Sequence, residues 1–159
     1  TATGRYPLET VQEMGRICAA AEQAEHVELD ADFSSRTVRR IDQSIAMGAL
    51  FTAHQLGAKA IVALTASGST ALWMSRHRID IPIYALTPSL ATQRRMALIR
   101  NVRPLLMDES DDRDVALAQA ETHLKKRGIV DTGDVYAITC GEPMGSPGGS
   151  NMLKICRAG

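Results

Sequence analysis

The segment KAIVALTASGSTALWMSRHRIDIPIYALT, residues 59–87, contains two short apolar runs with a longer polar-apolar stretch between them. The runs KAIVALT (59–65) and PIYALT (82–87) are rich in Ile, Val, Ala and Leu and bounded by turn residues, which is typical of buried strands. The stretch TALWMSRHR (70–78) is predicted to be a helix. A strand, a helix and a second strand in this order indicate a βαβ unit, whose strands run parallel.

The same alternation continues along the chain. VRPLLM (102–107) and DVYAITC (134–140) are predicted strands, and the helices before them are SLATQRRMALIR (89–100) and DDRDVALAQAETHLKKRG (111–128). The next loop is too short and too rich in Gly and Pro for a crossover helix, so NMLKICR (151–157) is predicted as an antiparallel edge strand. We therefore expect a three-layer α/β/α fold with a five-stranded, mostly parallel sheet of order 3-2-1-4-5, in which strand 5 is antiparallel.

Two helices are predicted before the first strand. YPLETVQEMGRICAAAEQAE (6–25) opens with Pro7, which suits a first helical turn. VRRIDQSIAMGALFTAHQLG (38–57) repeats the helical period and ends at Gly57, a predicted C-terminal cap. The acidic and serine-bearing segment between them, residues 26–37, has no period and is predicted to connect the two helices.

Composition limits the classes of function. The chain has 159 residues, of which 45% are hydrophobic and 23% charged, the profile of one soluble globular domain. Its 18 basic and 18 acidic residues are scattered, so we expect no nucleic-acid partner. No apolar run approaches the roughly 20 residues that span a bilayer, and the N-terminus has no signal-peptide pattern. We expect no membrane association and an intracellular protein.

Metal, disulfide and redox chemistry are not indicated. Cys18, Cys140 and Cys156 are odd in number and lack metal-binding spacing, so they are interpreted as buried free thiols. The four histidines show no paired spacing. The acidic run DESDD (108–112) precedes a predicted helix, where carboxylates meet the positive end of the helix dipole, and is interpreted in that sense and not as a metal site.

A strand order of 3-2-1-4-5 opens a crevice between the carboxyl ends of strands 1 and 4. Two loops rich in Gly and Ser, TASGST after strand 1 and GEPMGSPGGS after strand 4, lie at this point. Peptide N–H groups at the start of the following helix, with the hydroxyls around them, would bind a phosphate. The alternatives are a plain turn in which Ser69 caps the helix, and a flexible hairpin loop. The predicted phosphate-binding residues are Thr65, Ser67, Gly68, Ser69 and Thr70, and the predicted loop residues are Gly141, Glu142, Gly145, Ser146, Gly148, Gly149 and Ser150.

The sequence contains no known catalytic motif. It has no GxxxxGK phosphate loop, no G-x-S-x-G elbow and no GxGxxG fingerprint. Glu142 is the one acidic residue in either loop, which disfavours a stand-alone enzyme. A purely structural interaction domain with an empty crevice remains open.

These motifs resemble, in order, those of the C-terminal domain of the pyruvate kinase family, of the bacterial kind. TATGRYPLETV (1–11) is similar to the family's segment at the exit of the catalytic barrel, and AIVALTASGSTA (60–71) to its strand and effector phosphate loop. PIYALTPSLATQRRMALIRNVRPLL (82–106) resembles its strand-helix passage, with Asn101 where the family usually has glycine. GDVYAITCGEPMGSPGGSNMLKI (133–155) resembles its closing hairpin.

The resemblance implies that residues 1–25 form a helix leaving a catalytic barrel and that residues 26–159 form an effector-binding domain. It implies a cytoplasmic parent enzyme of glycolysis that binds ATP and transfers phosphate from phosphoenolpyruvate to ADP with Mg²⁺ and K⁺. Those groups belong to the barrel. We therefore expect this chain to hold no catalytic residue, metal or cofactor and to be inactive by itself.

The resemblance also implies an allosteric activator and a tetramer. Members activated by fructose 1,6-bisphosphate use a tryptophan and an arginine near the start of the last helix, but residues 105–119 contain no Trp and only Arg113. A sugar monophosphate or AMP is therefore the expected activator. Homo-oligomerisation is expected through the edge of strand 150–156, and the alternative is a purely structural oligomerisation domain with no bound effector.

Overall fold

A computed structural model describes residues 3–24, 38–144 and 149–159. The predicted connecting segment 26–37 lies outside these residues. The helices are α1 (Pro7–Ala24), α2 (Ile41–Gln55), α3 (Ser69–Ser75), α4 (Leu90–Met96) and α5 (Arg113–Lys126). The strands are β1 (Ala60–Leu64), β2 (Ile83–Thr87), β3 (Val102–Leu106), β4 (Val135–Gly141) and β5 (Ser150–Arg157).

The five strands form one sheet of order β3-β2-β1-β4-β5. The first four are parallel, with Ile61 of β1 opposite Ile83 of β2 and Ala137 of β4. β5 runs antiparallel to β4, and its outer edge has no strand partner among the described residues. The predicted strand order and the antiparallel fifth strand are confirmed.

Each face of the sheet is covered by helices, which confirms the three layers. On one face α2, α3 and α4 bury side chains such as Leu50, Met74 and Met96 against β1, β2 and β4. On the other face α5 buries Leu117 and Leu124 against a cluster that includes Tyr136. Because parallel strands packed on both sides need apolar residues at every position, β1 and β2 are buried throughout.

The crossover helices α3 and α4 are shorter than predicted, with seven residues each. α4 stops at Met96 because the chain must turn to enter β3, and Asn101 completes this turn in the left-handed region at φ 57°. Its amide Nδ2 donates to the carbonyl oxygens of Ile79 at 3.0 Å and Ile81 at 2.9 Å. Asparagine tolerates this backbone better than most residues, so Asn101 can stand where the family usually has glycine.

The N-terminal helices begin and end near the predicted residues. α1 starts at Pro7, and α2 is followed by Gly57 in the left-handed conformation at φ 59° that commonly ends a helix. The described side chains of α1 are almost all exposed, and Cys18 is among them. The prediction of buried thiols is therefore wrong for Cys18, holds for Cys140 and holds only in part for Cys156, which is half-buried. Within the described ranges, no helix is both long enough and apolar enough to cross a bilayer.

Candidate functional site

The two predicted loops meet at the carboxyl ends of β1 and β4. Thr70, at the start of α3, and Ser150, at the start of β5, are both buried, and their Oγ atoms form a hydrogen bond of 2.6 Å. The sequence separates these residues by 80 positions. The order of the strands brings them together at the crevice predicted between the carboxyl ends of strands 1 and 4.

A cavity lies between the two loops and opens to solvent. Among the predicted residues, those that line it are Thr65, Ser67, Ser69, Thr70, Gly141 and Ser150. The space inside it is about 60 Å³, which is that of about two water molecules. The cavity is small, so any ligand larger than a phosphate group would extend beyond it. Gly68, Glu142 and Gly149 do not line the cavity, while Gly145, Ser146 and Gly148 lie outside the described residues.

Gly68 shapes the first loop from behind the cavity. Its φ is 82°, and a Cβ at this position would lie 2.8 Å from Sδ of Met96. Its peptide N–H donates to Oγ1 of Thr65 at 2.8 Å. That N–H group is therefore used inside the loop, although the sequence suggested that it would face a phosphate.

Gly68, and not Ser69, is the N-cap of α3 and has no side chain to cap it, while the Oγ of Ser67 accepts from the peptide N–H of Ser69 at 3.4 Å. The cap at Ser69 is therefore wrong, while the plain turn itself stays an alternative to a phosphate site. Within the described chain, no hydrogen bond is made by the peptide N–H groups of Ser67, Thr70 and Ala71. The Oγ of Ser67 donates to the Oγ of Ser69 at 3.1 Å. The loop thus contains peptide N–H groups with no partner in the described chain, and hydroxyls that bond to other hydroxyls.

The second loop is closed at its base by a residue that the sequence analysis did not identify. The side chain of Asn151 accepts from the peptide N–H of Glu142 at 2.8 Å and donates to its carbonyl oxygen at 2.7 Å. A Cβ at Gly141 would lie 2.8 Å from the carbonyl oxygen of Gly149, so the two backbones approach closely. These contacts hold the ends of the loop together beside the cavity.

Two side chains of α4 support the first loop, and the sequence analysis missed both. Arg95 donates from Nη2 to the carbonyl oxygen of Ser67 at 2.7 Å. Thr92 donates from Oγ1 to the carbonyl oxygen of Ala66 at 3.0 Å. A signal for Thr92 exists: α4 follows β2, which lies beside β1, so polar residues near the start of α4 lie close to the loop after β1, whereas Arg95 in the last turn of α4 gives no such signal.

The acidic run 108–112 has two roles in the structure. Asp112 is the N-cap of α5, and its Oδ1 accepts from the peptide N–H groups of Asp114 at 2.8 Å and Val115 at 3.0 Å. This confirms its interpretation as a helix start. Asp108 and Glu109 also line the cavity, together with Ser110. Negative charge therefore forms part of the cavity lining, together with the hydroxyl-rich loop.

Arg113 is held by carboxylates at the start of α5. It donates from Nη1 to Oε2 of Glu142 at 2.9 Å and from Nε to Oδ1 of Asp114 at 3.0 Å. The hydrogen bond to Asp114, and next the one to Glu142, raise the pKa of Arg113. The hydrogen bond from Arg113 in turn lowers the pKa of Asp114. Burial raises the pKa of the nearby Cys140 thiol, so this cysteine stays protonated.

In the part of the chain that the structure describes, no three His, Cys, Asp or Glu side chains come together as metal ligands would.

The family model of the pyruvate kinase alpha/beta domain matches residues 43–156. The chain belongs to this pyruvate kinase family. The matched residues begin in α2 and include both loops of the candidate site.

Whole pyruvate kinases are similar to the chain over nearly its full length. The pyruvate kinase of Buchnera aphidicola subsp. Baizongia pistaciae is 34% identical over 158 residues, which are 99% of this chain and 33% of that protein. Pyruvate kinase II of Salmonella typhimurium is 35% identical over 98% of this chain and 32% of that protein. The chain thus spans about a third of the length of these curated relatives.

A solved pyruvate kinase from Cryptosporidium parvum has the same fold. It matches 98% of this chain and 31% of its own chain, with a TM-score of 0.79 and 24% sequence identity. The backbone of this chain is therefore similar to that of a pyruvate kinase, as its sequence is.

Proposed function

We propose that this chain is the effector-binding domain of a pyruvate kinase and that it binds a phosphorylated activator in the cavity between the two loops. One observation carries the proposal. Loops that are 80 residues apart close one cavity, joined by the hydrogen bond between Thr70 and Ser150. Ser67 and Thr70 line the cavity, and their unpaired peptide N–H groups, with the hydroxyls of the first loop, favour a phosphate there.

The charges around the cavity favour an activator with a single phosphate, a sugar monophosphate or AMP. Asp108 and Glu109 line the cavity and would repel a second phosphate beside them. Arg113, the cation in this segment, is already paired with two carboxylates. Carboxylates accept hydrogen bonds from hydroxyls, so Asp108 and Glu109 could bind the sugar hydroxyls of a monophosphate.

For the whole protein we propose the reaction of its relatives, phosphate transfer from phosphoenolpyruvate to ADP in glycolysis, with Mg²⁺ and K⁺ and in the cytoplasm. The chain itself supplies regulation and contributes to a tetramer. We expect no turnover above the blank when the purified chain is assayed with phosphoenolpyruvate and ADP, and turnover would contradict this division of labour.

Calorimetric titration tests the effector site. Glucose 6-phosphate, ribose 5-phosphate and AMP are titrated into the wild type, Ser67→Ala and Ser67→Asp. Ser67→Ala removes one hydroxyl and should weaken binding about tenfold, which corresponds to about 1.4 kcal/mol. Ser67→Asp places a negative charge against the phosphate and should abolish binding.

Ser44→Asp is the matched control, because Ser44 is an exposed serine of α2 that does not line the cavity. Its affinity should equal that of the wild type. If Ser67→Asp binds all three ligands as tightly as the control does, the first loop is only a turn. If the wild type binds none of them, the chain is better described as a purely structural oligomerisation domain.

A further inference from the structure

A second surface feature lies at the opposite end of the sheet from the candidate effector site. It is a groove of about 790 Å³ at the amino ends of β1, β2 and β3, beside the C-terminal end of α5. We call it the basic groove. The residues that line it are Lys59, Pro82, Tyr84, Arg103, Leu105, Arg127, Gly128 and Ile129.

The groove carries three positive charges and no negative one. Lys59, Arg103 and Arg127 are exposed, and no Asp or Glu is part of the lining. Within the described ranges, no ion pair joins any of the three to a carboxylate. Arginines of this fold do find carboxylates elsewhere, as Arg40 and Arg113 do. Three uncompensated cations around one concave surface favour an anion.

Arg103 is held in place without loss of its charge. Tyr84 lies opposite it on the neighbouring strand, and Nη1 of Arg103 donates to the Tyr84 hydroxyl at 2.9 Å. The guanidinium carbon lies 5.6 Å from the centre of the Tyr84 ring, which is itself buried. A neutral partner orients the guanidinium and leaves its other donors available, and a planar guanidinium binds phosphate oxygens in pairs.

The helix dipole accounts for only one of the three charges. Arg127 is the C-cap residue of α5, where a cation meets the negative end of the helix. Lys59 precedes β1 and Arg103 lies within β3, so neither is at the end of a helix. We propose that the basic groove binds a ligand with two or more linked phosphate groups. Pro82, Leu105 and Ile129 give the groove an apolar wall for any organic part of that ligand.

Calorimetry with inorganic tripolyphosphate tests the proposal. All titrations use the intact chain carrying Ser67→Asp, so that the effector cavity is closed to phosphate. We expect tripolyphosphate to bind and to bind more weakly as salt is added. Arg103→Gln and Arg127→Gln should each weaken binding about tenfold. Tyr84→Phe should weaken it less, because it keeps the ring and removes only the hydroxyl that orients Arg103.

Arg94→Gln is the control, because Arg94 is an exposed arginine of α4 that does not line the groove. Circular dichroism melting verifies that each variant is folded. Equal affinity in Arg103→Gln, Arg127→Gln and Arg94→Gln would overturn the proposal, and so would a lack of binding at millimolar tripolyphosphate. Groove variants that alter sedimentation and leave the titration unchanged would indicate a protein contact instead and would also overturn it.

ATP in the same background distinguishes two sources of the phosphate chain. Binding tighter than that of tripolyphosphate, and weakened by Leu105→Ser, would support a nucleotide whose base contacts the apolar wall. Equal binding of the two ligands would support recognition of the phosphates alone. The result for the basic groove is independent of the effector proposal, since its titrations are made with the effector cavity blocked.

Discussion

At the scale of single residues, the loop after β1 depends on a glycine that a ligand would not touch. Gly68 has a φ of 82°, and a Cβ there would meet the buried side chain of Met96 at 2.8 Å. Gly57 has a φ of 59° with no atom within 4 Å of its Cβ position. A Cβ at Gly57 would meet backbone strain alone, whereas a Cβ at Gly68 would meet both backbone strain and a steric clash.

We expect Gly57→Ala to reduce the free energy of unfolding by about 1–2 kcal/mol, the cost of the left-handed conformation. Gly68→Ala should cost that amount and about 1–3 kcal/mol more, because Met96 must shift within a packed core. Urea titrations of the two variants and the wild type measure the difference. Equal losses would mean that Met96 moves aside freely and that only the backbone requires glycine.

Glu121 links α5 to β4 and to the last residue of the chain. Its Oε1 accepts from the peptide N–H of Gly159 at 3.1 Å, and its Oε2 accepts from the Tyr136 hydroxyl at 2.8 Å. The Gly159 hydrogen bond is the main cause that lowers the pKa of Glu121 in the folded state. Burial, and next the bond to Glu121, raise the pKa of Tyr136, so the phenol remains a donor at neutral pH.

Because the folded state lowers its pKa, ionised Glu121 stabilises the fold above the unfolded value of about 4.3. This contribution is lost as the pH falls through the folded-state pKa. We expect Glu121→Gln to reduce the free energy of unfolding by about 1.5–3 kcal/mol at pH 7. The gap to the wild type should narrow at pH 3 in urea titrations. A gap of the same size at both pH values would show that shape, and not charge, matters at this position.

Some residue roles could be predicted from the sequence and others could not. The positions of Thr65, Ser67 and Ser150 at the cavity could be predicted, because the strand order is enough to bring their two loops together. The use of the Gly68 N–H by Thr65 could not be predicted, because it depends on the course of the loop backbone. The exposure of Cys18 could not be predicted either, because an apolar helical period does not show what covers it.

At the scale of elements, α5 begins at a side-chain cap. Asp112 accepts hydrogen bonds from two peptide N–H groups of the first turn. Its neighbour Asp111 is exposed and caps nothing in the described structure. We expect Asp112→Ala to reduce the free energy of unfolding by about 1 kcal/mol, in the range of 0.5–2 known for N-caps. Asp111→Ala should change it by less than about 0.5 kcal/mol.

Thermal or urea unfolding compares these two variants directly. Equal effects would mean that the acidic run acts through its total charge on the helix dipole and not through the cap. The existence of α5 was predictable, since the acid-rich start and the basic end KKRG agree with the dipole. The lengths of α3 and α4 were not, because the turns into β2 and β3 end these helices before their apolar period ends.

At the scale of the whole molecule, the two candidate sites lie at opposite ends of the parallel strands. The candidate effector cavity is at the carboxyl ends of β1 and β4, and the basic groove is at the amino ends of β1, β2 and β3. The alternation of strands and helices predicted the first place. It could not predict the second, because Lys59, Arg103 and Arg127 are separate in the sequence and carry no motif. Cross-strand register, which brings Arg103 beside Tyr84, is visible only in the folded chain.

We propose that two copies of the chain meet at the outer edge of β5. Met152 and Cys156 pack toward α5 and Leu153 toward α2, as alternate side chains of a strand do, and the outer edge of β5 has no partner strand among the described residues. Such an edge favours antiparallel pairing across a twofold axis. We expect the chain to sediment as a dimer at high concentration.

Ile155→Lys tests this expectation, because Ile155 is 38% exposed on β5 and a second lysine beside Lys154 places like charges across the paired edges. The variant should sediment as a monomer at concentrations where the wild type is a dimer. Leu98→Lys is the matched control: Leu98 is 91% exposed between α4 and β3, so the same change of charge should leave association unaltered. If both variants are monomeric, association depends on another surface or on total charge, and not on the edge of β5. A wild type that stays monomeric at high concentration would show that the edge is not an interface.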